Sequence, residues 1–249
     1  MKIHCLGTAG YHPNNDRHTS CYYLPEAGIA LDCGTGAYRL PGVLQGNLLD
    51  ILLSHAHLDH TAGLTFLLDV VAASPIEKIR IWGEAEKLAA VQEHLFDPMI
   101  FPAKLDAEWN PIDDLDEFHV GSTKITWRRQ QHPGGSVAYR LEWLDDKRLI
   151  YCTDTAGDTT PEHIDWIRNA DLLMHECNFR NTEVDWAIHT GHSWTDRVAK
   201  VATLSNPKKV LITHLNPMHT TSDPINREII ATQLESQVLL AEDGLEVEF

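Results

Sequence analysis

Short apolar runs closed by turn residues recur along the first third of the chain. Residues 2–6, 20–24, 28–32, 50–54 and 78–82 have the length and composition of strands. Apolar positions three and four apart over 61–73 and 84–96 predict helices. Residues 97–120 keep neither period and carry Pro98, Pro102 and Pro111, so this stretch reads as loop. Strands return at 123–131, 136–143 and 148–153, the last two joined by a tight turn at Asp145-Asp146. A helix over 161–168 with Thr160 as its cap, a strand at 171–176, a helix at 195–204, a strand at 209–213 and a helix at 226–237 follow, and the chain ends in short strands. In each half strands lead and then alternate with helices. That order predicts an α/β chain, a four-layer αββα sandwich of two packed mixed sheets with outer helices. One domain is expected over 1–249, with two pseudo-equivalent halves at about 1–130 and 131–249.

Composition narrows the partners. Hydrophobic residues make up 43% and charged residues 22% of the 249, which are ordinary globular values. The formal charge is −16, and residues 105–118 alone hold Asp106, Glu108, Asp113, Asp114, Asp116 and Glu117. Such a chain is a poor match for long nucleic acid or an anionic membrane, both of which reward clustered Lys and Arg. The five cysteines are an odd set with no CxxC, no apolar leader opens the chain, and no apolar run reaches membrane-spanning length. These features point to a reduced, cytoplasmic protein with no membrane partner.

The outlying number is fifteen histidines. Four metal-capable side chains fall in six residues at 55–60, HAHLDH, directly after an apolar strand. His55 and His57 are two apart and point the same way on extended chain, while Asp59 and His60 fall where the next helix starts. His132, Asp154 and His214 each stand at the end of an apolar strand, where α/β proteins build their sites. Each alone also fits a strand cap. Together with HAHLDH they point to a two-metal site of imidazoles and carboxylates, the ligands preferred by zinc and similar divalent ions. His192 lies in a Gly-rich turn ahead of a helix. Asp32 could orient a ligating histidine or simply cap its strand. His175 reads as a buried strand residue or a partner behind a ligand, and His12, His18 and His219 get no role from spacing, a place on the site's rim being the lesser alternative.

With these residues in view, the chain resembles the metallo-β-lactamase superfamily, and within it the ribonuclease Z-like phosphodiesterase branch. The likeness runs over nearly the whole chain. The opening CLGTAGYHPNNDRHTSCYYL resembles the branch's first motif through Gly7, Thr8, Pro13 and Arg17. LDCGTG at 31–36 resembles its DCGEGT, with Thr35 standing where the branch has Glu. HAHLDH with Gly63 after it, His132 with Tyr139-Arg140, CTDTAG at 152–157 and ITHLN at 212–216 are similar to its metal motifs. HECNF at 175–179 and GHSW at 191–194 resemble a pair more specific to the phosphodiesterases.

The resemblance implies the metallo-β-lactamase fold. It implies one ion on His55, His57 and His132, another on Asp59, His60 and His214, and Asp154 bridging both. The ions would be zinc, with manganese or iron as the family's other choices. It implies a catalytic set of His192, Glu176 and Asp59, in which a metal-bridging hydroxide attacks and His192 serves as general acid or phosphate clamp, oriented by Glu176. The function expected is therefore cleavage of a small or nucleotide-like phosphodiester. Alternatives are a glyoxalase II-like thioesterase or lactonase on the same site, and a non-hydrolytic metal-binding protein. Transfer RNA 3′ processing is a further alternative, disfavoured because Asp154 follows His132 by only 22 positions and no basic RNA-gripping arm is present. A homodimer is expected from the resemblance alone.

Overall fold

The structure is a computed structural model describing residues 1–249. It resolves into two compact units, Met1–Asp116 with Glu242–Glu248, and Glu117–Ala241 with Phe249.

The first unit is a seven-stranded mixed sheet. Its strands are β1 (Lys2–Gly7), β2 (Cys21–Leu24), β3 (Ile29–Leu31), β4 (Leu48–Leu52), β5 (Lys78–Gly83), β6 (Glu108–Pro111) and the terminal Glu246–Glu248. Glu246–Glu248 pairs antiparallel with β1, β1 with β2 and β2 with β3; β3 to β6 then run parallel. β2 and β3 are buried at every position, as expected of strands covered on both faces. β5 alternates, with Ile79 and Ile81 inward.

The second unit repeats this scheme. Its strands are β7 (Glu117–Val120), β8 (Thr123–Gln130), β9 (Ser136–Glu142), β10 (Arg148–Cys152), β11 (Leu172–Glu176), β12 (Lys209–Thr213) and β13 (Gln237–Leu240). Pairing is antiparallel from β7 to β10 and parallel from β10 to β13. The helix Thr195–Ser205 buries Val198, Ala199, Val201 and Ala202, and Val198, Ala199 and Ala202 join Val210, Ile212 and Ile230 in one apolar cluster.

Three expectations are corrected. Residues 97–120 are not all loop. Glu108–Pro111 is an edge strand, where a terminal proline is tolerated because no further ladder bond is needed there. Glu117–Val120 forms a hairpin with β8 through Gly121-Ser122, Gly121 taking the positive φ that such a turn requires. The predicted helix at 226–237 shrinks to Glu228–Ala231, because Gln237–Leu240 is drawn into parallel pairing with β12. The predicted helix at 61–73 is split into Leu58–Thr61, a 3₁₀ turn at Ala62–Phe66 and Leu67–Ala72. Close backbone approach constrains the first part. A Cβ on Gly63 would lie 2.0 Å from the Gly34 carbonyl oxygen, and one on Gly34 would lie 2.1 Å from that of Asp59. The segment after HAHLDH is thereby clamped onto the loop that follows β3.

Candidate metal centre

In the first unit the donors lie on the loops that leave β3 and β4 and on the short helix Leu58–Thr61 that follows. Asp32, with φ 56°, follows β3, and Ser54 and His55 follow β4. Asp32, Ser54, His55 and His60 are all buried. The Asp32 carboxylate accepts the Ser54 N–H at 2.7 Å, the Ser54 hydroxyl at 2.8 Å and the His60 Nδ1–H at 2.7 Å. Ser54 Oγ lies 3.0 Å from His55 Nδ1, and its own proton goes to Asp32. Both imidazoles are thus set to carry their proton on Nδ1 and their lone pair on Nε2, the tautomer a metal ligand needs. The His55 ring sits 4.4 Å from each of the His57 and His60 rings. The turn of helix Leu58–Thr61 brings Asp59 Oδ2 to 3.3 Å from His60 Nε2, and the Tyr11 N–H donates to the same oxygen at 2.7 Å.

The second unit presents donors on four different strand ends. His132 follows β8, Asp154 follows β10, Glu176 closes β11 and His214 follows β12. The two oxygens of Asp154 face different histidines, Oδ1 at 3.5 Å from His132 Nε2 and Oδ2 at 3.3 Å from His214 Nε2. That is the disposition of a carboxylate able to bridge two ions. Thr153 Oγ1 donates to Oδ2 at 2.7 Å, and Ser136 Oγ to the Asp154 carbonyl at 2.7 Å. His132 Nδ1 faces the Gly191 carbonyl at 3.1 Å, which again leaves the lone pair on Nε2. Burial pushes the His132 imidazole below its ordinary pKa, partly offset by Asp154, which favours the neutral ligating form.

His192 stands beside this set. Its Nδ1 is 2.9 Å from Glu176 Oε1, and its ring stacks on His214 at 5.3 Å and meets His132 edge-on at 5.0 Å. Glu176 is fully buried and also accepts the Thr155 N–H at 2.7 Å and the Ser193 N–H at 3.3 Å. The His192 side chain retains 14% exposure. Glu176, His192 and His214 form one cluster with donor atoms within 4.8 Å.

All seven ligands read from the sequence belong to groups of His and Asp side chains that could hold a metal ion. Five imidazoles and two carboxylates are nitrogen and oxygen donors suited to zinc, manganese or iron, and the Nδ1 partners above fit that use. Asp32 holds His60 through Nδ1, and the N–H it accepts, that of Ser54, lies past the end of β4 and not in its own strand β3. His175 is buried with Nδ1 on the Glu176 carbonyl, and burial pushes its pKa down. His18 and His219 are taken by Thr35 and Glu183. Sequence reasoning missed Ser54, Thr153 and the Gly191 carbonyl. It also missed Asp243, which accepts from Thr8 Oγ1, the His18 N–H and Arg39 and so ties down the first loop. Only Ser54 carried a signal, its place between the strand and His55.

Each mixed sheet carries imidazoles and carboxylates at its strand ends, the donor chemistry of metal-dependent hydrolases. The profile of the β-lactamase superfamily domain matches residues 29–215, a span holding all seven ligands, and the chain belongs to the metallo-β-lactamase superfamily, in its ribonuclease Z-like branch. A relative named Ribonuclease Z from Archaeoglobus fulgidus is 25% identical over 302 aligned positions, covering 100% of this chain and 97% of that protein. Among solved structures, the metallo-β-lactamase fold protein YhfI from Bacillus subtilis aligns with TM-score 0.82 and 23% identity over 99% of each chain. Human tRNase Z, short form, aligns with TM-score 0.77 and 21% identity over 100% of this chain and 99% of its own. These two likenesses speak for the fold. No helix is long and apolar enough to cross a membrane.

Proposed function

We propose that this protein is a metal-dependent phosphodiesterase that cleaves a small or nucleotide-like phosphodiester. His55, His57 and His132 would hold one divalent ion, Asp59, His60 and His214 a second, with Asp154 shared. Zinc is the first choice, with manganese or iron as alternatives. When bound, such ions supply Lewis acidity toward a phosphoryl oxygen and bring the pKa of water to about 7. The remaining work falls to the protein's own groups. Asp32 and Ser54 fix the ligand tautomers, and the buried Glu176 carboxylate stabilises a protonated His192. The His192 imidazolium then gives its Nε2 proton to the leaving oxygen.

The observation that carries this reading is the His192–Glu176 pair at 2.9 Å, stacked against the ligand His214. A thioesterase has less need of it, because a thiolate leaves more readily than an alkoxide. The test compares bis-p-nitrophenyl phosphate with a thioester and a lactone on the metal-loaded protein. Turnover of the phosphodiester supports the assignment, and turnover of only the thioester or lactone ends it.

Relatives named Ribonuclease Z favour a second reading, transfer RNA 3′ processing. Two features weigh against it. The alignment to the archaeal relative runs over 302 positions while this chain has 249 residues, so at least 53 of those positions (302 − 249) have no residue here. The net charge of −16 also opposes polyanion binding. Incubation with a 3′-extended tRNA precursor distinguishes the two readings.

A further inference from the structure

Tyr11 is bulky, 79% exposed, and held at φ 60°. Side chains other than Gly, Asn and Asp rarely occupy that region, and a large one there is an outlier. The His12 N–H donates to the Gly10 carbonyl at 2.7 Å, which closes a three-residue γ-turn with Tyr11 at its apex. A γ-turn of positive φ is rare and strained. The Tyr11 N–H is spent on Asp59 Oδ2 at 2.7 Å, so the residue is tied to the first unit's donor set. The loop behind it is rigid. Asn14 Oδ1 accepts the N–H groups of Asp16 and Arg17, Arg17 reaches Thr8 Oγ1, and the His18 N–H is held by Asp243. The Tyr11 ring has one ring contact, edge-to-face with His12 at 5.0 Å, and the His12 ring is itself set by Nδ1 against the Pro13 carbonyl.

Glycine would satisfy the turn and the bond to Asp59 at lower backbone cost. Strain of this kind gathers at functional sites. The fold makes little use of the ring, which is exposed and packs only against the His12 ring. An isolated exposed aromatic is unremarkable by itself. One fixed in an unfavourable conformation beside a metal-ligating carboxylate, on a braced loop and paired with a second ring, is a preformed aromatic platform.

We propose that Tyr11 is a specificity residue whose ring stacks on a nucleobase of the substrate, so that the phosphodiester is a nucleotide-type ester. The inference deepens the phosphodiesterase reading and rests on it for the bond that is cleaved. Tyr11→Gly keeps the turn and the N–H to Asp59 while removing the ring, and Tyr11→Phe keeps the ring. Metal content, checked by elemental analysis, should be the same in all three proteins. Calorimetric titration of each metal-loaded protein with AMP and with ribose 5-phosphate isolates the base. Wild type should bind AMP about 5- to 150-fold tighter than ribose 5-phosphate, the scale of one base stacked on an aromatic ring. Tyr11→Gly should lose that ratio and Tyr11→Phe should keep it. A ratio that survives in Tyr11→Gly, or is missing in wild type, overturns the proposal. Turnover of bis-p-nitrophenyl phosphate is measured in parallel. If wild type cleaves no phosphodiester while the AMP ratio depends on Tyr11, the base platform stands and the phosphodiesterase reading falls.

Discussion

The two units solve one problem in two ways. The first gathers four donors into six consecutive residues after one strand. The second takes His132, Asp154 and His214 from three strand ends spread over 83 positions. Yet the sheets share one pairing scheme, three antiparallel steps and then three parallel ones. In each, the strand where pairing changes sense, β3 or β10, is followed within two residues by an aspartate of left-handed φ, Asp32 at 56° and Asp154 at 49°. Their uses differ. Asp32 stands behind the ligands and grips His60 through Nδ1, whereas Asp154 faces two histidines at Nε2. The same backbone device therefore serves once to hold a histidine by its Nδ1 and once to face two histidines at Nε2.

If that contrast is correct, the two aspartates should fail differently. Asp154→Ala removes the group shared between both ion sites. Elemental analysis should show the loss of at least one ion per chain, and turnover should fall by more than about 10⁴-fold, as when a whole catalytic unit is lost. An Asp154→Ala protein that keeps both ions would mean that Asp154 is not a ligand. His192→Ala is the next largest effect. It should keep its metal and lose about 10²- to 10⁴-fold in turnover, the range for a positioned proton donor. Loss of metal in that variant would make His192 a ligand, which its place in a cluster with Glu176 and His214 permits.

HAHLDH was legible because local crowding of donors needs no fold to be seen, and because the preceding apolar strand fixed where it sits. His132, Asp154 and His214 were legible only as ligand-type residues at strand ends, and the resemblance supplied their partners. What stayed hidden depends on distant backbone. The left-handed φ of Asp32, Asp154 and His214 is only weakly signalled by residue type, since Asp and His enter that region more readily than most residues but usually lie outside it. Asp243 carried no signal, because its three bonds to Thr8, His18 and Arg39 exist only through the return of the chain's end to β1. The strand at Glu108–Pro111 was masked by three prolines, and the helix Val184–Thr190 by its exposed Trp186 and Ile188.

Acid should expose a further asymmetry. His163, in the second unit's helix Pro161–Ile167, is buried, and its pKa is pushed down to about 4 by burial, with Asp158 opposing. Unfolded, it titrates near 6.5. Between those values the unfolded chain binds a proton that the folded one refuses, so stability falls as pH drops from about 6.5 to 4. The full loss is on the order of 3 kcal/mol. Chemical denaturation of metal-free protein at pH 7 and pH 4.5 should show His163→Gln with a flatter acid limb than wild type. Equal slopes would mean that His163 finds a proton acceptor in the folded state.

The smallest effect tests the role of Asp32 most directly. Asn tolerates a positive φ better than most residues, so Asp32→Asn should leave the backbone in place. It still offers one oxygen to the Ser54 N–H, but it turns an amide toward the Ser54 hydroxyl and His60 Nδ1. A donor there can pair only with an Nδ1 that has lost its proton, which moves the His60 proton to Nε2 and into competition with the metal. Chelator competition should show affinity reduced about 10- to 100-fold, as when a partner behind a ligating histidine is lost. A smaller drop in turnover at saturating metal should accompany it, since the ligand itself remains. Asp154→Asn, by contrast, should lose turnover that added metal cannot restore. If Asp32→Asn binds metal as tightly as wild type, then the 2.7 Å bond to His60 serves packing alone, and the division of labour between the two aspartates does not hold.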